Sequence, residues 1–215
     1  GQLRDLCRHY GVPTWMTEVS HAEIDPRSFD HLRGRAIHIH DEMVYADASA
    51  FYGMNAMWDQ KTHAEHFAGR GGEEPNALLT EEDTIVLADN DRDDVLITGM
   101  GYAIGHYARW LNRGAVRLEA TSDDELVLVT AFKDTKARRV VLVIVNSASA
   151  DRTLDITFSD LQLEGQLTGE QSYGHARWQG REPILVESPG RVRAVVRGMS
   201  VTTLCATLAE DPQAE

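Results

Sequence analysis

The chain has 215 residues, 42% hydrophobic and 26% charged, so it is long enough to bury a real core as one large or two small domains. Its formal net charge of −13 argues against a nucleic-acid partner, because phosphate binding needs clustered Lys and Arg. No apolar run has the length of a membrane span, and Cys7 and Cys205 lie in different predicted domains, so a disulfide framework is not expected.

The first part of the chain alternates between helical and strand patterns. The segment from Leu3 to Tyr10 reads as the end of a helix, Gly11-Val12-Pro13 as a turn, and residues 14–18 as a short strand. Asp30 to Asp47 then has apolar residues at the three-and-four spacing of a helix with one buried stripe. A second strand is predicted from Ala50 to Met57. This order is typical of a parallel α/β sheet or barrel.

Glu18 is the strongest candidate for a catalytic residue, because it ends the first predicted strand. A carboxylate in that position points into the loop layer where α/β barrels keep their chemistry. The simple alternative is a solvated strand end. If Met16 and Glu18 face the barrel axis, alternation turns Trp15 and Thr17 towards the helices, so we expect Trp15 to lie in the core.

Two groups of histidines resemble metal sites only superficially. His38 and His40 are two residues apart on a predicted helix and therefore point to different sides. The His63-Ala64-Glu65-His66 segment lacks the order and spacing of the helical His-Glu-x-x-His zinc motif. We interpret both groups as surface histidines and expect neither a metal ion nor a cofactor.

The middle of the chain is predicted to contain a long loop, a hairpin and one more helix. Residues 59–82 are rich in glycine and charge, and such a loop could either cover a binding site or be an insertion without a role. Ile85 to Ile97 reads as two short strands around an acidic turn. A helix is expected from about Gly99 to Leu111, with Asn112-Arg113-Gly114 as its stop.

From Ala115 onward the hydrophobic period changes from helical to two, which predicts an antiparallel β-sandwich. The run from Val140 to Val145 is apolar on both faces and is expected to be a central strand. The runs at Leu154 and Val192 alternate and should face water on one side. Tyr173, His175 and Trp178 indicate either an aromatic binding surface or an anchored loop.

The segment Trp-Met-Thr-Glu-Val-Ser at residues 15–20 resembles the nucleophile strand of glycoside hydrolase family 30. These are retaining glycosidases with a (β/α)8 barrel and an attached β-sandwich. The resemblance continues in three further segments: Ile39 to Met43, Tyr102 to Arg117, and Ser200 to Leu204. It implies a fold class of α/β plus all-β, the C-terminal fragment of such a barrel followed by an antiparallel β-sandwich.

The resemblance assigns chemistry to Glu18 and to residues near it. A retaining glycosidase needs two carboxyls about 5 to 5.5 Å apart, one as nucleophile and one as acid/base. Glu18 matches the nucleophile, whereas the acid/base Glu lies on an earlier barrel strand outside this chain; Glu23 is the nearest local alternative. Substrate-binding roles are expected for His21 and Asn55 by hydrogen bonds and for Trp58 by stacking. Tryptophans common in the family near positions 53 and 54 are replaced here by Gly and Met.

We therefore expect residues 1–112 to be the incomplete end of a barrel, 113–208 a β-sandwich, and 209–215 a tail. The chain starts inside a helical pattern without an export signal, so we expect it to be part of a longer protein. Because the resemblance implies that the acid/base Glu lies outside this chain, we expect the chain to be inactive alone. Its expected partners are a carbohydrate and the missing N-terminal part of the barrel, with no nucleic acid and no membrane span. The resemblance favours a secreted or cell-envelope location. The alternative function is a non-catalytic carbohydrate-binding or scaffold module whose working part is the sandwich.

Overall fold

The computed structural model describes residues 2–18, 25–53, 56–59, 84–186, 188 and 190–209. The chain divides into two compact units, residues 1–104 and 105–215, with the boundary inside one helix. The expected order of α/β elements followed by β elements is confirmed. Among the described residues, none of the helices has the length and apolar composition needed to cross a bilayer.

The first unit combines helices with short strands. Its elements are, in chain order, α1 (Gln2–Tyr10), β1 (Thr14–Met16), α2 (Phe29–Val44), β2 (Ala48–Phe51), β3 (Met57–Asp59), β4 (Val86–Asp89), β5 (Asp94–Ile97) and the start of α3 (Gly99–Ala108). Strands β1 and β2 pair in parallel, β3 is parallel to β4, and β4 and β5 form the expected antiparallel hairpin. Leu32, Ala36 and Ile39 form the buried stripe of α2.

The prediction of a single strand from Ala50 to Met57 is wrong. Strand β2 ends at Phe51 and pairs with β1, whereas β3 starts at Met57 and pairs with β4. Between them, Gly53 brings the backbone close to hydrophobic side chains, since an added Cβ would lie 3.0 Å from Ile104 Cδ1 and 3.3 Å from Ile85 Cγ1. The predicted loop at 59–82 falls almost wholly outside the described residues.

The second unit is an antiparallel sandwich. Its strands are β6 (Val116–Leu118), β7 (Val127–Asp134), β8 (Arg139–Asn146), β9 (Arg152–Thr157), β10 (Leu163–Tyr173), β11 (Ala176–Gly180), β12 (Ile184–Leu185), β13 (Arg191–Val196) and β14 (Ser200–Leu208). The main sheet has the order β11-β10-β14-β8-β7-β6, with β12 paired to β10, and a second sheet consists of β9 and β13.

The two sheets enclose a core of aliphatic side chains, among them Ile144, Leu167, Val192 and Leu204. Strand β8 is buried along nearly its whole length, which confirms its central position. Strands β9 and β13 alternate between inward and outward residues and face solvent on one side, as their patterns predicted.

Candidate functional site

The candidate catalytic strand starts from a turn that ends α1. Gly11 has φ +62°, a left-handed conformation that glycine adopts without steric cost after a helix. Its N–H donates to the Arg8 carbonyl at 3.2 Å, and the Val12 N–H donates to the Cys7 carbonyl at 3.0 Å. The turn redirects the chain into β1, and Pro13 precedes the first strand residue.

Strands β1 and β2 pair side by side in parallel, with Met16 opposite Phe51. Immediately beyond this pair, the Tyr52 N–H donates to the Met16 carbonyl at 2.9 Å. At the other end, the Ser49 hydroxyl lies 3.2 Å from the Thr14 carbonyl. The residues that follow β1 and β2 therefore emerge at the same carboxyl edge, the edge at which parallel α/β folds place their ligands.

Glu18 lies two residues beyond the end of β1, and both it and Thr17 are exposed. Strand β1 is shorter than the sequence pattern indicated, so Glu18 belongs to the loop edge rather than to the strand itself. Within the described part of the chain, no side chain forms an ion pair or hydrogen bond with its carboxylate. An exposed carboxylate can act as a nucleophile or a base.

The other predicted site residues are only partly located. His21 and Asn55, like Glu23, lie outside the described residues. Trp58 lies in β3, opposite Leu87 of β4, and its side chain is outside what the structure describes. The substrate-binding roles of His21, Asn55 and Trp58 therefore stay predictions.

Two aromatic residues stand beside the end of β1 instead. Trp15 is 57% exposed and Tyr52 50% exposed, with ring centroids 6.2 Å apart. The prediction that Trp15 lies in the core is wrong, because the residue is more than half exposed and, among the described elements, α2 contacts mainly β2. Tyr52 was not predicted from the sequence; its signal is an aromatic residue directly after a parallel strand.

The start of α2 is fixed by buried polar contacts. The Ser28 hydroxyl accepts the His31 N–H at 3.0 Å and caps the helix. The His31 ring lies between the Pro26 carbonyl, 3.4 Å from Nδ1, and the Arg35 Nε, 3.2 Å from Nε2. These contacts fix the first turn of α2.

The expectation of surface histidines is wrong for His40, which is 4% exposed and packs edge-on against Tyr45. His40 is on the side of α2 that also carries buried Ala36 and Ile39, so the helix buries it with that stripe. His38 is half-buried, 3.5 Å from Glu42. No group of three or more potential metal ligands occurs among the described residues, and the segment from His63 to His66 lies outside them.

The second unit contains a buried polar network between α3 and the main sheet. His106 is fully buried, with Nδ1 2.9 Å from the Thr203 hydroxyl and Nε2 2.8 Å from the Ser172 hydroxyl. Burial, assisted by the charge of Arg109, lowers the pKa of His106 to about 3. Because the ring is neutral and both nitrogens are occupied, it serves packing rather than proton transfer.

Trp178 joins the same network. Its ring packs on Gly105 and lies 4.4 Å from the Arg109 guanidinium carbon, and its backbone N–H donates to the Ser172 hydroxyl at 3.0 Å. Trp178 is therefore an anchor, whereas His175 is exposed in the turn between β10 and β11. The three aromatic residues noted in the sequence do not share one binding surface.

Comparison with known proteins adds a family match and several similar folds. Residues 114–204 match the model of the glycosyl hydrolase family 30 beta sandwich domain. The family 30 subfamily 8 xylanase Xyn30A from Clostridium acetobutylicum has 19% identity and a TM-score of 0.70, over 94% of this chain and 44% of that one. A family 30 endoxylanase from Clostridium papyrosolvens has 19% identity and a TM-score of 0.67, over 94% of this chain and 44% of that one. The catalytic domain of the family 30 xylanase C from Talaromyces cellulolyticus has 18% identity and a TM-score of 0.67, over 91% of this chain and 41% of that one.

At these identities the similarity establishes the fold alone, and the chain spans less than half of the length of these relatives. The expected resemblance to the C-terminal portion of family 30 is confirmed by the sandwich match together with the coverage of the strands before it. No curated protein matches the sequence significantly.

Proposed function

We propose that this chain is the C-terminal part of a retaining glycoside hydrolase, because residues 114–204 match the model of the glycosyl hydrolase family 30 beta sandwich domain and the fold is similar to family 30 structures. Its substrates would be β-linked glycosides or polysaccharides. Xylan is the first to test, since the three similar proteins named above are xylanases.

Glu18 is the proposed nucleophile. In a retaining mechanism its carboxylate attacks the anomeric carbon and the glycosidic oxygen leaves with a proton from a second carboxyl group. Water, deprotonated by that second group, then cleaves the glycosyl ester and regenerates Glu18. The observation that supports this assignment is the exposed carboxylate just beyond the carboxyl edge of a parallel strand pair.

The proposal assigns the acid/base carboxyl to chain outside these 215 residues, so the 215-residue chain alone would lack hydrolase activity. His21, Asn55 and Trp58 are proposed to bind substrate near the same edge. The proposed domains are the end of the barrel at 1–112, the sandwich at 113–208 and a tail at 209–215.

A mechanism-based label tests Glu18 directly. The protein expressed from its complete reading frame is incubated with a 2-fluoro glycoside that traps the glycosyl-enzyme, and the labelled peptide is identified by mass spectrometry. We expect label on Glu18 and none in Glu18→Gln. Glu23→Gln, the nearby loop carboxylate, and Glu42→Gln, which pairs with His38, are matched controls that should retain the label.

Label that persists in Glu18→Gln would eliminate Glu18 as the nucleophile. A protein that binds polysaccharide but neither hydrolyses nor takes the label would instead support the alternative, a non-catalytic binding or scaffold module.

A further inference from the structure

The sandwich carries a concentration of arginines although the chain as a whole has a net charge of −13. On β13 the exposed positions are Arg191, Arg193 and Val195, and exposed Arg197 continues the alternation beyond the strand. Arg181, which precedes β12, reaches the same strand, because its Nη2 donates to the Val195 carbonyl at 2.5 Å. Positive charge is thus gathered along one strand.

Arg197 is held in a defined position. Its carbonyl accepts a hydrogen bond from Asn146 Nδ2 at 2.8 Å and another from the Ser200 hydroxyl at 2.7 Å. Its guanidinium carbon lies 4.3 Å from the centroid of the Tyr173 ring. The Tyr173 hydroxyl in turn donates to Gln179 Oε1 at 2.6 Å, which leaves the two N–H groups of the Gln179 amide for other partners.

Arg181 is also anchored, yet part of its guanidinium has no acceptor. Its backbone N–H donates to the Gly169 carbonyl at 3.0 Å. Its Nη1 is buried and has no hydrogen-bond partner among the described residues. Burial, followed by the positive charge of Arg197, lowers the pKa of Arg181. The positive charges of Arg181 and Arg197 therefore repel each other. In addition, Nη1 of Arg181 has no hydrogen-bond acceptor among the described residues.

Other arginines of the sandwich have carboxylate partners. Arg152 Nε lies 2.7 Å from Asp124 Oδ2, and Arg193 binds Asp155 through two nitrogens, at 2.8 and 3.2 Å. Within the described residues, no carboxylate pairs with Arg181 or Arg197. An anion placed beside these two guanidiniums would offset their mutual repulsion.

We propose that Arg181 and Arg197, with Tyr173 and Gln179 beside them, form a binding site for the carboxylate of an acidic polysaccharide. Guanidinium groups match carboxylates in planar, charge-assisted pairs. The neighbouring aromatic ring and amide are suited to the C–H faces and hydroxyls of a sugar. The choice of a polysaccharide over another polyanion depends on the proposed function, whereas the choice of an anion does not.

The test measures binding, not hydrolysis, with the protein expressed from its complete reading frame. Affinity electrophoresis compares carboxymethylated xylan with unmodified xylan, and sulfated xylan and polyglutamate of matched charge density are the competing polyanions. We expect retardation by carboxymethylated xylan, and the double variant Arg181→Gln/Arg197→Gln should bind it about tenfold more weakly or worse.

Arg193→Gln is the matched control, because it removes the same charge from the same strand but from an arginine already bound to Asp155. It should change the affinity by less than about threefold. Since Arg181→Gln also removes the hydrogen bond to Val195, the single variant Arg197→Gln, which replaces a side chain that stacks on Tyr173, tests the site with that bond intact.

Three results would overturn the proposal: equal losses in Arg193→Gln and Arg197→Gln, equal binding of unmodified xylan, or tighter binding of sulfated xylan or polyglutamate. Because the binding measurement does not require hydrolysis, its result does not depend on whether Glu18 takes the glycosyl label. Failure of the label would refute the hydrolase proposal alone.

Discussion

Arg109 Nη1 lies 2.8 Å from Oε2 of Glu170, whose side chain is only 6% exposed. The other carboxylate oxygen accepts the indole N–H of Trp110 at 2.9 Å. One buried glutamate on β10 thus satisfies two donors from the segment just after α3. A buried charge is tolerated in a protein only when it is paired in this way.

Replacing Glu170 should therefore destabilise the sandwich. We expect Glu170→Ala to lower the free energy of unfolding by about 3 kcal/mol and Glu170→Gln, which can still accept the indole N–H, by about 1.5 kcal/mol. Urea unfolding followed by tryptophan fluorescence measures both. Asp155→Asn, which breaks an exposed arginine pair, should have little effect. Similar losses at both positions would contradict the role given to Glu170.

The pKa of His106, lowered to about 3 by burial and by Arg109, predicts a pH dependence of stability. Between about pH 3 and 6.5 the unfolded chain binds a proton on this histidine that the folded chain does not, so stability falls as the pH falls. The slope from His106 approaches about 1.4 kcal/mol per pH unit.

The variant His106→Gln isolates this contribution, because Gln can bond both hydroxyls and does not titrate. Urea unfolding between pH 5 and 6.5, where most carboxylates are already ionised, should show a shallower slope in the variant. Parallel slopes in the two proteins would refute the assignment. The carboxylates of Asp124, Asp134 and Asp155, whose pKa values are lowered by hydrogen bonds, lose their contribution only at more acidic pH.

Gly105 should not tolerate a side chain. A Cβ at this position would overlap Cζ2 of Trp178, whose own backbone is held at φ +45°. We expect Gly105→Ala to cost about 2 kcal/mol and to change the fluorescence of the tryptophan. Gly34→Ala is the matched control, since Gly34 is exposed within α2 and a Cβ there meets nothing within 4 Å. It should stabilise the protein by about 0.5 to 1 kcal/mol.

The proposed nucleophile makes a stereochemical prediction. With the protein from its complete reading frame, Glu18→Gly should reduce hydrolysis by about 10⁴-fold or more while leaving the unfolding temperature unchanged, because Glu18 is exposed. Added azide should restore part of the activity by attacking the vacated face, giving a glycosyl azide of inverted configuration that NMR can identify. An azide-independent variant, or a product of retained configuration, would refute the assignment.

Local patterns in the sequence predicted the elements whose burial is continuous or strictly alternating. The run from Val140 to Val145 is apolar throughout, and the structure makes it the central strand β8. The alternation around Leu154 and Val192 likewise predicted β9 and β13. In these strands the nearest neighbours in sequence already define the two faces.

Strand β10, the longest strand described, was not predicted. Its inward positions include Glu170 and Ser172, polar residues that resemble a surface loop when only their neighbours are considered. Their partners Arg109 and His106 are 61 and 66 residues away in sequence. Exposed Trp15 was missed for a related reason, because its environment depends on which strand α2 covers. Both the burial of β10 and the exposure of Trp15 depend on partners that are distant in sequence, and a local pattern does not contain such partners.

The contacts made by α3 and the residues after it determine where the sandwich can be excised. His106, Arg109 and Trp110 precede Gly114, where the family match begins, yet the carboxylate and hydroxyls that they bond lie within the matched region. A recombinant module started at that point would bury these acceptors without their donors and would be prone to aggregate. A clone that starts ahead of Gly105 keeps the interior of the module whole.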